Sequence, residues 1–173
     1  LSGQGYHKGG VTPSISPSMD IQVSSNFERA LFDAYDRDAG AVAQLMDELG
    51  QGGFDVSQGA MQALQDTYRS GRASEEETSA TITDRRRTTG ELLCPHSAVG
   101  VKVADELRDP ATPMVTLATA HPAKFPDAVE AATGIRPPLP PRMADLFDRE
   151  ERFTRLPNDL DALKAHIKGN LPA

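Results

Sequence analysis

Three stretches of the chain crowd together residue types that do chemistry. The densest is Thr119-Ala120-His121-Pro122-Ala123-Lys124-Phe125, which brings a hydroxyl, an imidazole and an ammonium close together. It directly follows residues 113–118, the best strand candidate in the sequence. Ligands of open α/β sheets bind beyond the carboxyl ends of strands, so a polar ligand there would meet all three groups. An ordinary strand-to-helix loop, with Thr119 capping and Lys124 solvated, accounts for the same residues. The second stretch is Cys94-Pro95-His96-Ser97, where a short apolar run meets a helix start. Free N–H groups and the helix dipole suit an anion or carboxylate there. A Cys–His nucleophile pair needs two side chains that face each other, which adjacent residues rarely achieve. Cys94, His96 and His121 also lack the spacing of a metal-ligand motif. The third stretch is Ser14, Ser16 and Ser18, followed by Asp20, Ser24 and Asn26. Phosphate recognition and a plain polar surface loop both fit it.

Composition narrows the classes without naming a reaction. The chain has 173 residues, about one domain's worth, with 18 Lys+Arg against 25 Asp+Glu and a net charge of −7. That balance argues against nucleic acid as a partner, because phosphate backbones call for a basic surface. No apolar run approaches the roughly 20 residues that span a bilayer, so no membrane association is expected. No basic-then-apolar leader is visible at Leu1. The one cysteine, Cys94, excludes an internal disulfide framework and fits a reducing compartment, so a cytoplasmic location is expected. The chain begins without methionine in a Gly-rich stretch. Either its terminus is processed or tagged, or it starts midway through a larger protein.

The elements that would position these residues are mostly helical. Residues 1–24 read as loop, with one short extended segment over 18–23. Ser25-Asn26-Phe27-Glu28 reads as a capping box opening a helix that Gly40 ends. A second helix carries Val42, Leu45, Met46 and Leu49. A third starts at Ser57 and closes at Gly71. Over 74–90, a second capping box (Ser74, Glu77), acids in the first turn and three arginines in the last all complement the helix dipole. Its thin apolar stripe predicts an exposed helix, with Arg85, Arg86 and Arg87 as a solvated end or an anion site. Residues 96–108 read as helix. The run 113–118 lacks alternation, which predicts a strand buried on both faces. A helix over 126–133 follows, with proline in its first turn and Gly134 after its end. Residues 137–141 are Pro-Pro-Leu-Pro-Pro, an extended linker whose Pro137-x-x-Pro140-x-Arg142 pattern also suits SH3-type grooves. A short helix near 142–150 and a last helix from Asn158 complete the chain. One or two strands cannot enclose so buried a strand, so the sequence reads as part of an α/β domain.

Four of these motifs, in this order and at these separations, resemble one family. They are Ser16-Pro17-Ser18-Met19-Asp20-Ile21, Ser24-Ser25-Asn26-Phe27-Glu28-Arg29, Pro95-His96-Ser97-Ala98-Val99-Gly100, and Thr119 through Phe125. The chain is similar to the carboxy-terminal portion of threonine synthase, in its bacterial and fungal branch, over essentially all its length. The resemblance implies a helix-rich α/β chain with few short strands. It would form part of the tryptophan-synthase-β-like (fold type II) domain that binds pyridoxal 5'-phosphate. Residues 1–136 would belong to the catalytic domain, and 137–173 would be a proline-rich linker and terminal helix. The implied reaction converts O-phospho-L-homoserine and water into L-threonine and phosphate, a carbon–oxygen lyase step that ends threonine biosynthesis. The resemblance makes Thr119 the partner of the cofactor's pyridine nitrogen. A hydroxyl can donate to an unprotonated ring nitrogen, whereas a carboxylate would hold it protonated. His96 and Lys124 would lie near the cofactor or the substrate phosphate, and Ser16, Ser18, Asp20 and Asn26 on the substrate side.

The sequence departs from the family in one respect. Neither the Phe-Lys-Asp segment with the Schiff-base lysine nor the Ser-Gly-Asn-Phe-Gly loop that cups the cofactor phosphate occurs. Lys8, Lys102, Lys124, Lys164 and Lys168 are the lysines present, and none has that context. The resemblance therefore implies a fragment, inactive alone, whose partner is the amino-terminal part of the same enzyme. The rival expectation is a non-catalytic helical interaction module derived from or resembling such an enzyme.

Overall fold

The computed structural model describes Gly3 and residues 5–171. It divides into two compact units, one running to Pro138 and one from Leu139.

The first unit begins with a pair of strands, the first of which lies in the stretch 1–24 expected to be loop. Strand β1 (Gly5–His7) pairs antiparallel with β2 (Gly53–Asp55), Tyr6 opposite Phe54. Gly53 sits at φ +157°, and a Cβ there would fall 2.6 Å from the Cα of His7, so no side chain fits this crossing. Tyr6 fills the space above the pair and meets the rings of Phe27 and Phe54 edge-on, at 5.7 and 5.4 Å. Around them pack α1 (Phe27–Ala34), α2 (Ala39–Gln51) and α3 (Gln58–Thr67). Leu31, Leu45, Leu49, Val56, Ala60, Met61 and Leu64 form their shared core.

Several sequence expectations fail here for local reasons. Ser25 does not cap α1: a turn from Ser24 holds Asn26 in helical geometry, and neither side chain caps the helix. Gly40 does not end α1. Asp36 and Arg37, both left-handed, turn the chain after Ala34, and Asp38 caps α2 with Gly40 already in its first turn. Helix α3 starts after Ser57 as expected but stops at Thr67, short of Gly71. Pro17–Met19 forms a 3-10 turn where an extended segment was expected, because the Ser16 carbonyl accepts the Met19 amide.

The second layer of this unit holds α4 (Glu75–Thr89), α5 (Pro95–Leu107) and α6 (Pro126–Thr133). Both ends of α4 follow the sequence: the Ser74–Glu77 capping box forms, and Gly90 closes the helix in the left-handed region. The helix is not a free surface element, however. Thr78 and Ile82 are buried, packed between α5 and α6 along with Ala98 and Val129. Polar links tie the layer. Lys102 meets Glu77 at 3.3 Å, Glu106 at 2.9 Å and the Arg72 carbonyl at 2.9 Å. The arginine run is likewise occupied: Arg85 pairs with Asp105 of α5, and Arg87 with Asp84.

The largest correction concerns 113–118. No strand forms there, and this stretch joins no ladder among the described residues. Val115 and Leu117 are 80% and 76% exposed, the reverse of burial on both faces. A ladder needs a neighbour, and none of the described residues offers one. The segment lies instead along α5, where Met114, Val115, Thr116 and Leu117 share a groove with Gly100, Val103 and Leu107. Gly100 permits that approach: a Cβ there would already meet the Thr116 methyl at 3.3 Å.

The second unit, taken alone, has two 3-10 turns, Pro141–Met143 and Leu146–Asp148, where one short helix was expected. Helix α7 (Leu160–Gly169) follows, capped by Asp159. It buries none of its residues, and Leu160, Leu163 and Ile167 line one exposed stripe.

Candidate functional site

The amino end of α5 is a buried, capped polar point of the first unit. Pro95 takes the first helical position, where its missing N–H costs nothing, and its fixed φ suits the turn. Cys94 precedes it as the cap, its Sγ accepting the Ser97 amide at 3.4 Å. Cys94, His96, Ser97 and Ala98 are all buried. From this turn two side chains reach outward to other segments.

Ser97 reaches Thr119. Its Oγ accepts the Thr119 amide at 3.1 Å and lies 3.4 Å from Thr119 Oγ1 and 3.2 Å from Cys94 Sγ. The end of the exposed segment is thus pinned to the helix start. Thr119 itself remains exposed.

His96 reaches the serine loop. Its Nε2 accepts the Ser18 amide at 3.1 Å. That bond requires the ring proton on Nδ1, and Nδ1 is buried with no partner among the described residues. The Phe125 ring packs against the imidazole at 4.5 Å. Burial, and then the nearby Lys124 ammonium, push the His96 pKa down, while Asp20 pulls the other way. The ring is therefore neutral at pH 7.

Ser14 organises the loop that His96 holds. Its amide and hydroxyl both donate to Asp20, at 2.7 and 2.8 Å, and its Oγ accepts the Ser16 amide at 3.1 Å. Glu75 at the start of α4 accepts the Ile15 amide at 3.0 Å, fixing the loop over the α4–α5 layer. Ser16 is buried, whereas Ser18 is exposed and linked through its backbone. Lys124 stands exposed over the Phe125 ring, 5.9 Å from its centre.

The structure therefore brings Ser16, Ser18, Asp20, His96 and Lys124 to one corner, and Thr119 to the residue beside His96. Asn26 is not among them. It lines a separate cavity of about 500 Å³ with Ser24, Arg29, Tyr68 and Arg69. His121 turns to local work, its Nδ1 accepting the Ala123 amide at 3.1 Å. No group of three His, Cys, Asp or Glu side chains is placed to hold a metal among the described residues. Sequence reasoning missed three contributors: Ser97, the Phe125 ring and the Glu75 anchor. Ser97 stood inside a quoted motif, but nothing in its spacing tells that Thr119 folds back onto it.

A buried neutral imidazole makes stability depend on pH. The unfolded chain takes up the His96 proton near its ordinary pKa of 6.5, and the folded chain only at lower pH. Stability from this group is complete above that value and is lost as pH falls through the folded pKa. Thermal melts from pH 7.5 to 5 should show a falling midpoint, and His96→Gln should flatten that fall. Parallel slopes for the two proteins would refute a neutral buried ring.

The family model described as "Threonine synthase, C-terminal" matches residues 97–167. The chain is 49% identical over 170 residues to the threonine synthase of Pseudomonas aeruginosa, covering 96% of this chain and 36% of that protein. It is 41% identical over 157 residues to that of Corynebacterium glutamicum, covering 88% and 33%. Among solved structures it is similar to a PLP-bound threonine synthase from Brucella melitensis, with 50% identity, a TM-score of 0.85 and coverage of 96% and 36%. Yeast threonine synthase superposes with a TM-score of 0.80 at 29% identity, covering 96% and 38%. The chain thus spans about a third of the length of these relatives. Among the described residues, no helix is long and apolar enough to cross a membrane.

Proposed function

We propose that the chain, similar to the carboxy-terminal third of threonine synthases, belongs to that family and forms the ring-nitrogen side of a pyridoxal-phosphate site. The intact protein then converts O-phospho-L-homoserine and water into L-threonine and phosphate. A cytoplasmic location fits this biosynthetic chemistry. When bound, the cofactor supplies the electron sink that lets the substrate's carbon–oxygen bond break.

The donor set suits that group. The observation that carries the reading is the anchoring of Thr119, whose amide and hydroxyl both meet Ser97 while the residue as a whole stays exposed. A fixed neutral hydroxyl is the partner an unprotonated pyridine nitrogen needs. The fixed serine loop gives the substrate side its polar wall, with Ser16 and Ser18 carried on a backbone that His96 and Asp20 hold still. His96, neutral and with Nδ1–H unpaired, has one proton to donate to an oxygen of the cofactor or substrate. Lys124 adds the positive charge that favours a phosphate near this corner.

The amine that holds the cofactor and the loop that cups its phosphate belong to the amino-terminal part, which is this chain's partner. The test is turnover by the full-length protein. Supplied with pyridoxal phosphate and O-phospho-L-homoserine, it should release phosphate and threonine in equal amounts. A cofactor-loaded preparation that forms no threonine would overturn the assignment.

A further inference from the structure

We propose that Cys94, Ser97 and Thr119 form a one-way chain of hydrogen bonds that leaves the Thr119 proton pointing outward, with Ser97 as the residue that positions it. This rests on the reading of Thr119 above and says what makes that hydroxyl a donor.

The argument is proton counting. Ser97 Oγ accepts the Thr119 amide at 3.1 Å, which uses one of its lone pairs. Its own proton has two neighbours in reach, Cys94 Sγ at 3.2 Å and Thr119 Oγ1 at 3.4 Å. Cys94 is 1% exposed, so water does not serve its thiol. Its sulfur already accepts the Ser97 amide at 3.4 Å, and its S–H has the Ser97 oxygen in reach. When the S–H donates to Ser97 Oγ, that oxygen is saturated as an acceptor, and the Ser97 proton goes to Thr119 Oγ1. Thr119, now an acceptor on its inner side, turns its own proton to the open side. In the reverse direction Thr119 donates inward and shows only a lone pair, and the buried S–H has no acceptor. Leaving a buried donor unmade is the costlier choice. The forward order matches an unprotonated ring nitrogen; the reverse would demand a protonated one.

Sequence spacing hides this relay. Cys94 and Ser97 are one helical turn apart, and Thr119 arrives from 22 residues on. The thiol, which looked like a candidate nucleophile, here acts as a donor at the head of a relay.

The test uses the full-length enzyme with four proteins: unaltered, Ser97→Ala, Thr119→Val and the double variant. The readouts are the dissociation constant for pyridoxal phosphate and the absorbance of the bound cofactor. Ser97→Ala should weaken cofactor binding roughly 3- to 10-fold, the scale of one hydrogen bond. It should also shift the absorbance in the direction that Thr119→Val does. In the Thr119→Val background the same change should do almost nothing, because the group it orients is gone. An equal loss in both backgrounds would mean that Ser97 only supports the fold, and the relay is wrong. If Ser97→Ala moves neither readout while Thr119→Val moves both, the relay falls and the Thr119 assignment stands. If Thr119→Val moves neither, the underlying assignment falls. Should Ser97→Ala prove insoluble, Cys94→Ala and Cys94→Ser decide. Loss of the donor should shift the absorbance and its replacement by a hydroxyl should not, and a spectrum blind to both substitutions defeats the proposal.

Discussion

On the proposed function, the full-length protein carrying Thr119→Val should fold, keep its cofactor, and turn over substrate about a hundredfold more slowly, the scale of removing one oriented donor from a reacting centre. Valine has nearly the same shape as threonine, and residue 119 is exposed in this chain, so little packing is lost. The backbone bond from residue 119 to Ser97 Oγ survives, since it uses the amide. What goes is the hydroxyl proton. In the proposed site the pyridine nitrogen would then lack its donor, and its electronic state should shift. The bound cofactor's absorbance should move along with the rate. Unaltered spectrum and rate together would show that some other residue serves the ring nitrogen.

The second result expected is an absence. The 173-residue chain alone, given pyridoxal phosphate and O-phospho-L-homoserine, should release no phosphate above the buffer blank. The structure gives four of the five lysines other surroundings. Lys102 is held between Glu77 and Glu106, which raise its pKa and keep it a cation. An ammonium has no lone pair to attack an aldehyde. Lys8 reaches the Gly50 carbonyl, Lys164 pairs with Asp161, and Lys124 stands in solvent over Phe125. Circular dichroism on the same sample would establish that the helices are present. Turnover by such a sample would remove the need for an amino-terminal partner.

Where the sequence was legible, local chemistry settled the structure. Ser74 with Glu77, Gly90, Pro126 and Gly134 mark helix ends because caps depend on nearby backbone atoms alone. Ser25 shows the limit. Its pattern is as good as that of Ser74, but the Tyr6 hydroxyl accepts the Ser24 amide and donates to the Gln22 carbonyl, holding a turn in place of the cap. The strands of Gly-Tyr-His and Gly-Phe-Asp are too short to show alternation, and they pair across 48 residues. The site was legible by residue type and not by contact. Thr119, His96 and the serine loop were all singled out, yet their convergence on one helical turn depends on long-range packing. The 113–118 segment was misread for a different reason. Its composition suits a paired, covered strand, and no described residue pairs with it.

That bare segment carries a cost of its own in the cell. A run of apolar and partly β-branched residues, Met114 through Ala118, with amides and carbonyls in no ladder, is a template for cross-β growth. Until covered, it would attract holdase chaperones or identical strands from neighbouring molecules.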